Sequence, residues 1–287
     1  MDPAPQEVWR LATVAQVIAA GERYADEVLR DYRDIRPVAP AGCYARTTPL
    51  LLDDEEATEP TRQELAVYYA VLIQNYAERS ALFLRDARVA GQGAVLACSG
   101  TLITESVAEF TARGLVPDGL VMIEANTYGL LKGVSRRIER PCLLAKRPWY
   151  RNYGHWLVDC ATVIAMAAAT GLSEGAAIVI GCYESPALER VVRATIEEFA
   201  GGSEVLVHSD DEVWEFNALC YLTPLHVPPL FKLPDGLRML KTRLLPTCSA
   251  PCSPNRRLFV SRGRSGLRER FRSVPPNRTQ SPLLSGL

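Results

Sequence analysis

A run of alternating strand and helix signals in the second half of the chain constrains the fold most. The run is strand, helix, strand, helix, strand, with its segments at 142–146, 155–170, 176–181, from Pro186 onward, and at 204–209. The middle strand, AAIVIG, is a continuous apolar run typical of strands buried on both faces. Ser185 and Pro186 supply an N-cap and a first-turn proline for the second helix. This alternation predicts an α/β protein with a doubly wound, Rossmann-like parallel sheet.

Composition and charge limit the kinds of partner. The chain has 287 residues, of which 48% are hydrophobic and 23% charged, so it can bury a core and is not disordered throughout. Its net charge of −1 gives the whole protein no electrostatic attraction for nucleic acid or anionic membranes. Residues 256–287 carry eight arginines and one acidic residue, so we expect only this end to attract anions.

The sequence pattern divides the chain into five predicted regions. They are a helical segment with an acidic linker (1–60), a β-rich lead-in (61–140), a Rossmann-like first lobe (141–236), the start of a second lobe (237–267) and a disordered basic tail (268–287). Within the lead-in, a tight turn at Ser99–Gly100 is predicted to join two strands.

Cysteine usage and the absence of targeting signals indicate the compartment. The eight cysteines form no CxxC pair, which favours reduced thiols. The N-terminus lacks a signal-peptide pattern, and the longest apolar run, Trp156–Leu172, contains Asp159 and is too short to span a bilayer. We therefore expect a cytoplasmic protein without a transmembrane segment, for which peripheral association with the inner face of the membrane remains open.

The segment RPWYRNYGHWLVDC, residues 147–160, holds the densest set of reactive side chains. His155 and Asp159 lie four residues apart at the start of a helix, so both project from one face. This arrangement suits a general base or an anion-binding pocket. The alternative, more common for an arbitrary helix, is a hydrogen-bonded capping pair with Trp156 in the core. A thiol nucleophile at Cys160 is disfavoured, because no cysteine-protease signature surrounds it.

The second set follows a predicted strand, RRLFVSR, residues 256–262. Ser261, Arg262 and Arg264 would lie at the carboxyl edge of a sheet, where α/β proteins bind ligands, and guanidinium groups match phosphate oxygens. A solvated basic tail is the alternative, and we favour it for the arginines after residue 266. Walker-type and G-x-G-x-x-G loops are absent, and no Asp-x-Asp motif indicates a metal.

Three motifs together carry a family resemblance. NYGHWLVD (152–159), RRLFVSR (256–262) and the upstream ARVAGQGAVLACSGTLITES (87–106) resemble glycosyltransferase family 61, which includes bacterial capsular polysaccharide biosynthesis proteins. The match runs from about residue 80 to residue 265. It implies an inverting transferase of the two-lobed GT-B type, which moves a sugar from a UDP-linked donor to a glycan or lipid-linked acceptor hydroxyl, without a metal. The resemblance implies that such an enzyme takes part in surface polysaccharide biosynthesis.

The resemblance also implies roles for individual residues. His155 or Asp159 would be the general base, and Arg262, with Arg264 and Ser261, would bind the donor phosphates. The family's Asn-Glu pair and its Gly-Pro-His-Gly-Ala type segment do not follow the Ser-Arg strand in this sequence. We therefore expect an incomplete second lobe and little or no transferase activity.

Two other classes of function remain open at this point. One is a non-catalytic remnant that binds a nucleotide or a sugar. The other is nucleic-acid binding through the basic tail, which we do not expect because Phe259 and Phe271 are the only aromatic side chains interleaved with its arginines.

Overall fold

The computed structural model describes residues 7–17, 32–45, 73–227, 231–232 and 234–244. All of them belong to one unit, Met1–Pro246. The strands are β1 (Val8–Ala12), β2 (Tyr32–Ala39), β3 (Gly42–Ala45), β4 (Ile73–Tyr76), β5 (Arg79–Leu84), β6 (Ala87–Ala90), β7 (Ala94–Ala97), β8 (Thr101–Ile103), β9 (Leu120–Glu124), β10 (Thr127–Leu130), β11 (Arg136–Leu144), β12 (Ala177–Gly181), β13 (Val205–His208), β14 (Val213–Leu222), β15 (His226–Val227) and β16 (Phe231–Lys232). The helices are α1 (Thr104–Thr111), α2 (Tyr153–His155), α3 (Thr162–Ala169), α4 (Pro186–Ala200) and α5 (Pro234–Leu244), and a π-helical segment, Trp156–Ala161, joins α2 to α3.

A large mixed sheet organises this α/β protein. Among the described residues it has twelve strands, ten of them in the order β13-β12-β11-β14-β6-β7-β8-β1-β10-β9, while β5 pairs with β14 and with β2. The four strands β13, β12, β11 and β14 are parallel to one another. Strands β5 and β6 run antiparallel to β14, and the strand pairs beyond β14 are antiparallel apart from β1 with β8, which are parallel.

The predicted strand-helix alternation is confirmed for β11, β12 and β13. These strands are parallel, and helices follow the first and the second of them. Ser185 caps α4, because its hydroxyl accepts a hydrogen bond from the Leu188 N–H at 3.4 Å. In chain order, the parallel strands are arranged third, second, first, fourth across the sheet. The link from β13 to β14 is only four residues long, 209–212.

Successive residues of the parallel strands point alternately into two hydrophobic clusters, one on each face of the sheet. Leu143 points towards α3, α4 and α5, together with Ile178 of β12. Leu144 points to the opposite face and packs with residues of β5 to β8, together with Val179. This alternation follows from the two-residue period of a strand. It explains why these strands are apolar without interruption, as both faces are buried.

The antiparallel part of the sheet contains the predicted tight turn. Strands β7 and β8 are joined at Ser99–Gly100, and Gly100 has a φ of +85°, which favours glycine. Helix α1 begins directly after β8, and its buried side chains Val107 and Phe110 face the sheet. This helix matters for the site described below, because it supplies a residue that sequence analysis did not single out.

The helical prediction for the N-terminal segment is wrong where the structure describes that segment as strands. Residues Val8–Ala12 form β1, which pairs with β8 and β10, and residues Tyr32–Ala39 form β2. Trp9 is buried, and its indole N–H donates to the Ala97 carbonyl at 3.1 Å. Pairing with distant strands overrides the local helical pattern, since it satisfies the backbone and buries the indole at once. Residues 18–31 and the acidic linker lie outside the described part.

The predicted boundary between 140 and 141 falls inside β11, and one sheet continues on both sides of it. Most of the predicted second lobe and the whole basic tail lie outside the described residues, so the division into lobes stays a prediction. None of the helices in the described ranges has both the length and the apolar character needed to cross a membrane.

Candidate functional site

The loop that follows β11 brings α1 against the start of the next helix. Trp149 adopts a φ of +62°, and its backbone N–H donates to the side-chain oxygen of Gln92 at 2.8 Å. Its ring stacks on Phe110 of α1 with centroids 5.4 Å apart, and the Arg113 guanidinium lies 5.1 Å from the same ring. A bulky residue such as tryptophan is strained in the left-handed backbone region, and these contacts stabilise Trp149 in that conformation.

His155 and Asp159 form a hydrogen-bonded pair at the start of the helix after β11. His155 Nδ1 lies 2.8 Å from Asp159 Oδ2. The imidazole is 31% exposed, whereas the carboxylate is 1% exposed. The prediction that both side chains project from one face is therefore confirmed. Asp159 lies within the π-helical segment, a backbone form found often at functional sites.

Glu109 of α1 completes a cluster with this pair. It is buried, and one candidate ligand atom each from Glu109, His155 and Asp159 lies within 4.8 Å of the others. The Arg113 guanidinium lies 3.9 Å from the Glu109 carboxylate. An imidazole with two carboxylates can relay a proton or hold a divalent cation. If a metal binds in the described part of the chain, these three residues are the ones that would hold it, and the expectation of a metal-free protein stays a prediction.

Sequence analysis missed Glu109 because it lies 46 residues upstream of His155. The sequence contains only a weak indication that Glu109 belongs to the site. On α1 the buried positions are Ser106, Val107, Glu109 and Phe110, so an acidic residue falls on the inward face. That face can be recognised only after the helix is placed against the sheet.

The aromatic side chains around the pair fill the core. Trp156 is fully buried, and its ring meets Tyr183 edge-on with centroids 5.6 Å apart. Tyr150 packs against Tyr183 in the same way at 5.3 Å. Cys160 is fully buried, which speaks against a nucleophilic thiol. The role proposed for Trp156 as a core residue is confirmed.

A second polar cluster ties together the carboxyl ends of β11 and β13. The fully buried Lys146 amine contacts Asp210 Oδ1 at 2.6 Å, His208 Nδ1 at 2.9 Å and the His208 carbonyl at 3.1 Å. The Tyr150 hydroxyl donates to Asp210 at 3.0 Å, and Arg151 approaches the other Asp210 oxygen at 3.1 Å. All three donors of the Lys146 ammonium are thus satisfied.

Burial changes the proton affinities in this second cluster. It lowers the pKa of Lys146 to about 8, although Asp210 opposes the change. Burial, followed by the charge of Lys146, lowers the pKa of His208 to about 3. His208 is therefore neutral, and its Nδ1 accepts a hydrogen bond from the Lys146 ammonium. The geometry is that of a structural connection, since no donor of Lys146 is left to engage a ligand.

The predicted phosphate-binding residues Ser261, Arg262 and Arg264 lie outside the described residues. The structure therefore does not test whether they approach His155 or Asp159. Of the predicted site residues, it places the pair His155 and Asp159 together and adds Glu109 to them. Comparisons with protein-family models, with curated proteins and with solved structures find no match for this chain.

Proposed function

We propose that this chain is a glycosyltransferase-like protein of surface polysaccharide biosynthesis, in which a sugar passes with inversion from a nucleotide-sugar donor to a glycan hydroxyl. The observation that carries the proposal is the His155–Asp159 pair, with a buried carboxylate 2.8 Å from a partly exposed imidazole. Inverting transfer needs one base to remove the acceptor proton as the donor bond breaks.

The pair is arranged as a general base requires. When Nδ1 of His155 carries the proton, it donates to the Asp159 carboxylate, and this fixes Nε2 as the acceptor. Asp159 then stabilises the imidazolium that forms when Nε2 takes the acceptor proton. Because only the imidazole is exposed, His155 is the group that contacts the acceptor, and Asp159 is a positioning residue.

The surrounding fold supports the same proposal. The third, second and first parallel strands lie in the order of one nucleotide-binding half of a doubly wound sheet, and the fourth lies beside the first, as in such sheets. Ligands of such sheets bind at the carboxyl ends of the strands, and the helix that carries the pair begins nine residues after β11. A Rossmann-like first lobe of a GT-B-like enzyme is therefore part of the proposal, with Arg262 as its donor-phosphate ligand.

The test combines binding with sugar release. The full chain is titrated calorimetrically with UDP and then incubated with a panel of UDP-sugars, as wild type and as the variants His155→Ala, Asp159→Asn and Arg262→Ala. We expect Arg262→Ala to weaken UDP binding. Because the second lobe is expected to be incomplete, wild-type sugar release should be slow, and the two pair variants should retain UDP binding while lowering this slow release by about 10²–10⁴-fold. Glu189→Gln, on the outer surface of α4, is the matched control.

The outcomes separate the proposal from its rival. UDP binding without sugar release by the wild type would indicate a non-catalytic nucleotide-binding protein. Release that is unchanged in His155→Ala would refute the role of the pair. Release that is lost on chelation and restored by Mn²⁺ would show that the cluster of Glu109, His155 and Asp159 holds a metal.

A further inference from the structure

Two buried arginines adjoin the carboxyl end of β14. Arg79 begins β5, where the next residue, Ser80, exchanges hydrogen bonds of 2.9 and 3.0 Å with Thr223. Arg147 lies in the loop after β11. Its Nη2 donates to the Leu222 carbonyl, and its guanidinium lies 4.6 Å from the Tyr221 ring centroid. The backbone next to Arg79 and the side chain of Arg147 thus both contact the same three residues, 221–223.

These arginines carry donors without acceptors. Arg79 is 8% exposed and Arg147 is 2% exposed. The Nε and Nη2 atoms of Arg79 and the Nε atom of Arg147 are shielded from solvent and have no hydrogen-bond partner among the described residues. Buried polar groups are almost always hydrogen-bonded, and buried charges are almost always paired.

Glu105 is the acidic residue that interacts with Arg79, but it does not supply a full counter-charge. The Glu105 carboxylate accepts from the Val14 N–H at 2.9 and 3.1 Å. Burial raises the pKa of Glu105, which weakens it as a counter-ion, and burial lowers the pKa of Arg79 despite the opposing effect of Glu105. Within the described part of the chain, Glu105 therefore supplies less than a full counter-charge to the arginine pair.

We propose that Arg79 and Arg147 bind a phosphate-type oxyanion at the carboxyl end of β14. A guanidinium group offers parallel N–H donors that match a phosphate's oxygens, and two such cations balance a dianion better than a single carboxylate does. The position agrees with this chemistry. β14 adjoins β11 where the order of the parallel strands reverses, and the carboxyl ends at such a point are where α/β sheets bind ligands.

The inference does not depend on glycosyl transfer. An oxyanion can bind between the arginines whether or not a sugar is moved, and the site uses neither His155 nor Asp159. The phosphate could belong to a nucleoside diphosphate or be free in solution, and the experiment has one arm for each source.

The experiment follows thermal unfolding of the full chain in inorganic phosphate, pyrophosphate or UDP, with potassium acetate at matched ionic strength as the reference. We expect an oxyanion at saturating concentration to raise the wild-type Tm by roughly 3 °C or more. Arg79→Met and Arg147→Met should abolish the rise. Arg193→Met, which removes an exposed arginine of α4, should retain it.

Charge-preserving variants keep the test valid if the methionine variants fail to fold. Arg79→Lys and Arg147→Lys retain the positive charge and lose the planar fork, so we expect affinity for pyrophosphate to fall at least about tenfold. Unchanged affinity in the lysine variants would overturn the proposal. So would a wild type that no oxyanion stabilises, or methionine variants that respond as the wild type does.

The two arms identify the source of the phosphate. UDP binding that is tighter than pyrophosphate binding would assign the site to a nucleotide, whereas equal affinities would assign it to free phosphate. His155→Ala should lose sugar release and keep the stabilisation by oxyanions. A protein without transferase activity would therefore still be able to bind an oxyanion at Arg79 and Arg147. A protein that does not bind an oxyanion there would still be able to transfer a sugar.

Discussion

Two buried polar regions at the carboxyl edge of the parallel strands differ in how completely their groups are paired. The Lys146 cluster, which consists of Lys146, His208, Asp210, Tyr150 and Arg151, provides an acceptor for every donor of the lysine amine. The arginine pair, Arg79 and Arg147, leaves three buried nitrogen atoms without an acceptor among the described residues. The first region thus has the character of a structural connection, and the second is the oxyanion site that we propose.

The difference shows why burial of charge does not by itself identify a function. Both regions hold cations that are at least nine-tenths buried. In one, the protein supplies the counter-charge and the hydrogen bonds, so removing a partner should destabilise the fold. In the arginine pair, the protein supplies only part of the counter-charge and of the hydrogen bonds. Removing an arginine should therefore change the free energy of unfolding little until the anion is bound.

The largest effect is expected for Lys146→Met. The substitution leaves the buried His208 and part of Asp210 without their donor, which should lower the free energy of unfolding by roughly 3 kcal/mol. Chemical denaturation measures this change, and Lys241→Met on α5 is the matched control. A loss below about 1 kcal/mol would show that the Lys146 cluster is not the stabilising connection inferred from its contacts.

Acidification should weaken the same cluster through His208. The folded-state pKa of His208 is about 3, against 6.5 for the free side chain. Above pH 6.5 both folded and unfolded chains hold the ring neutral, so stability is unaffected. Below pH 6.5 the unfolded chain takes up a proton that the folded chain refuses, and stability falls. We expect a loss of about 3 kcal/mol between pH 7.5 and 4.5.

Denaturation at a series of pH values measures this loss. His208→Gln keeps a hydrogen-bonding side chain that does not titrate, so its pH dependence should be shallower over this interval. Identical slopes in both proteins would exclude His208 as the group responsible.

A smaller effect is expected for Gly181→Ala, which tests how Tyr150 is held in the Lys146 cluster. A Cβ atom at residue 181 would lie 2.0 Å from the Tyr150 ring. The ring would have to move, with a cost of roughly 1–3 kcal/mol. Gly175→Ala is not a neutral comparison because Gly175 has a φ of +69°, but Gly133→Ala meets no atom within 4 Å and serves as the control. A fully stable Gly181→Ala protein would show that Tyr150 is not packed as described.

The smallest effect is expected for Arg79→Met in the absence of phosphate. The substitution removes an unpaired buried cation and keeps most of the side-chain volume, so the free energy of unfolding should change by less than about 1 kcal/mol. Denaturation in phosphate-free buffer, compared directly with Lys146→Met, measures the contrast. A loss as large as that of Lys146→Met would mean that Arg79 is fully paired in the folded protein and would remove the distinction between the two regions.

Much of the parallel region could be predicted from local pattern. The strands β11, β12 and β13 are apolar without interruption, the Ser185 cap marks the start of α4, and the four-residue spacing placed His155 and Asp159 on one face. These signals are local, since they depend on residues within a few positions of one another. The N-terminal segment was misjudged because β1 forms through pairing with β8 and β10, which are about 90 and 120 residues away.

The sequence by itself determined that the chain is an α/β protein, where its parallel strands lie, and that a histidine and an aspartate share the start of one helix. Only the tertiary structure decided that Glu109 joins that pair, that β14 completes the parallel set beside β11, and that Arg79 and Arg147 both adjoin the carboxyl end of β14. The physical reason is the distance along the chain. Local geometry fixes the direction of neighbouring side chains, but the pairing of strands far apart in sequence decides which buried charges find a partner.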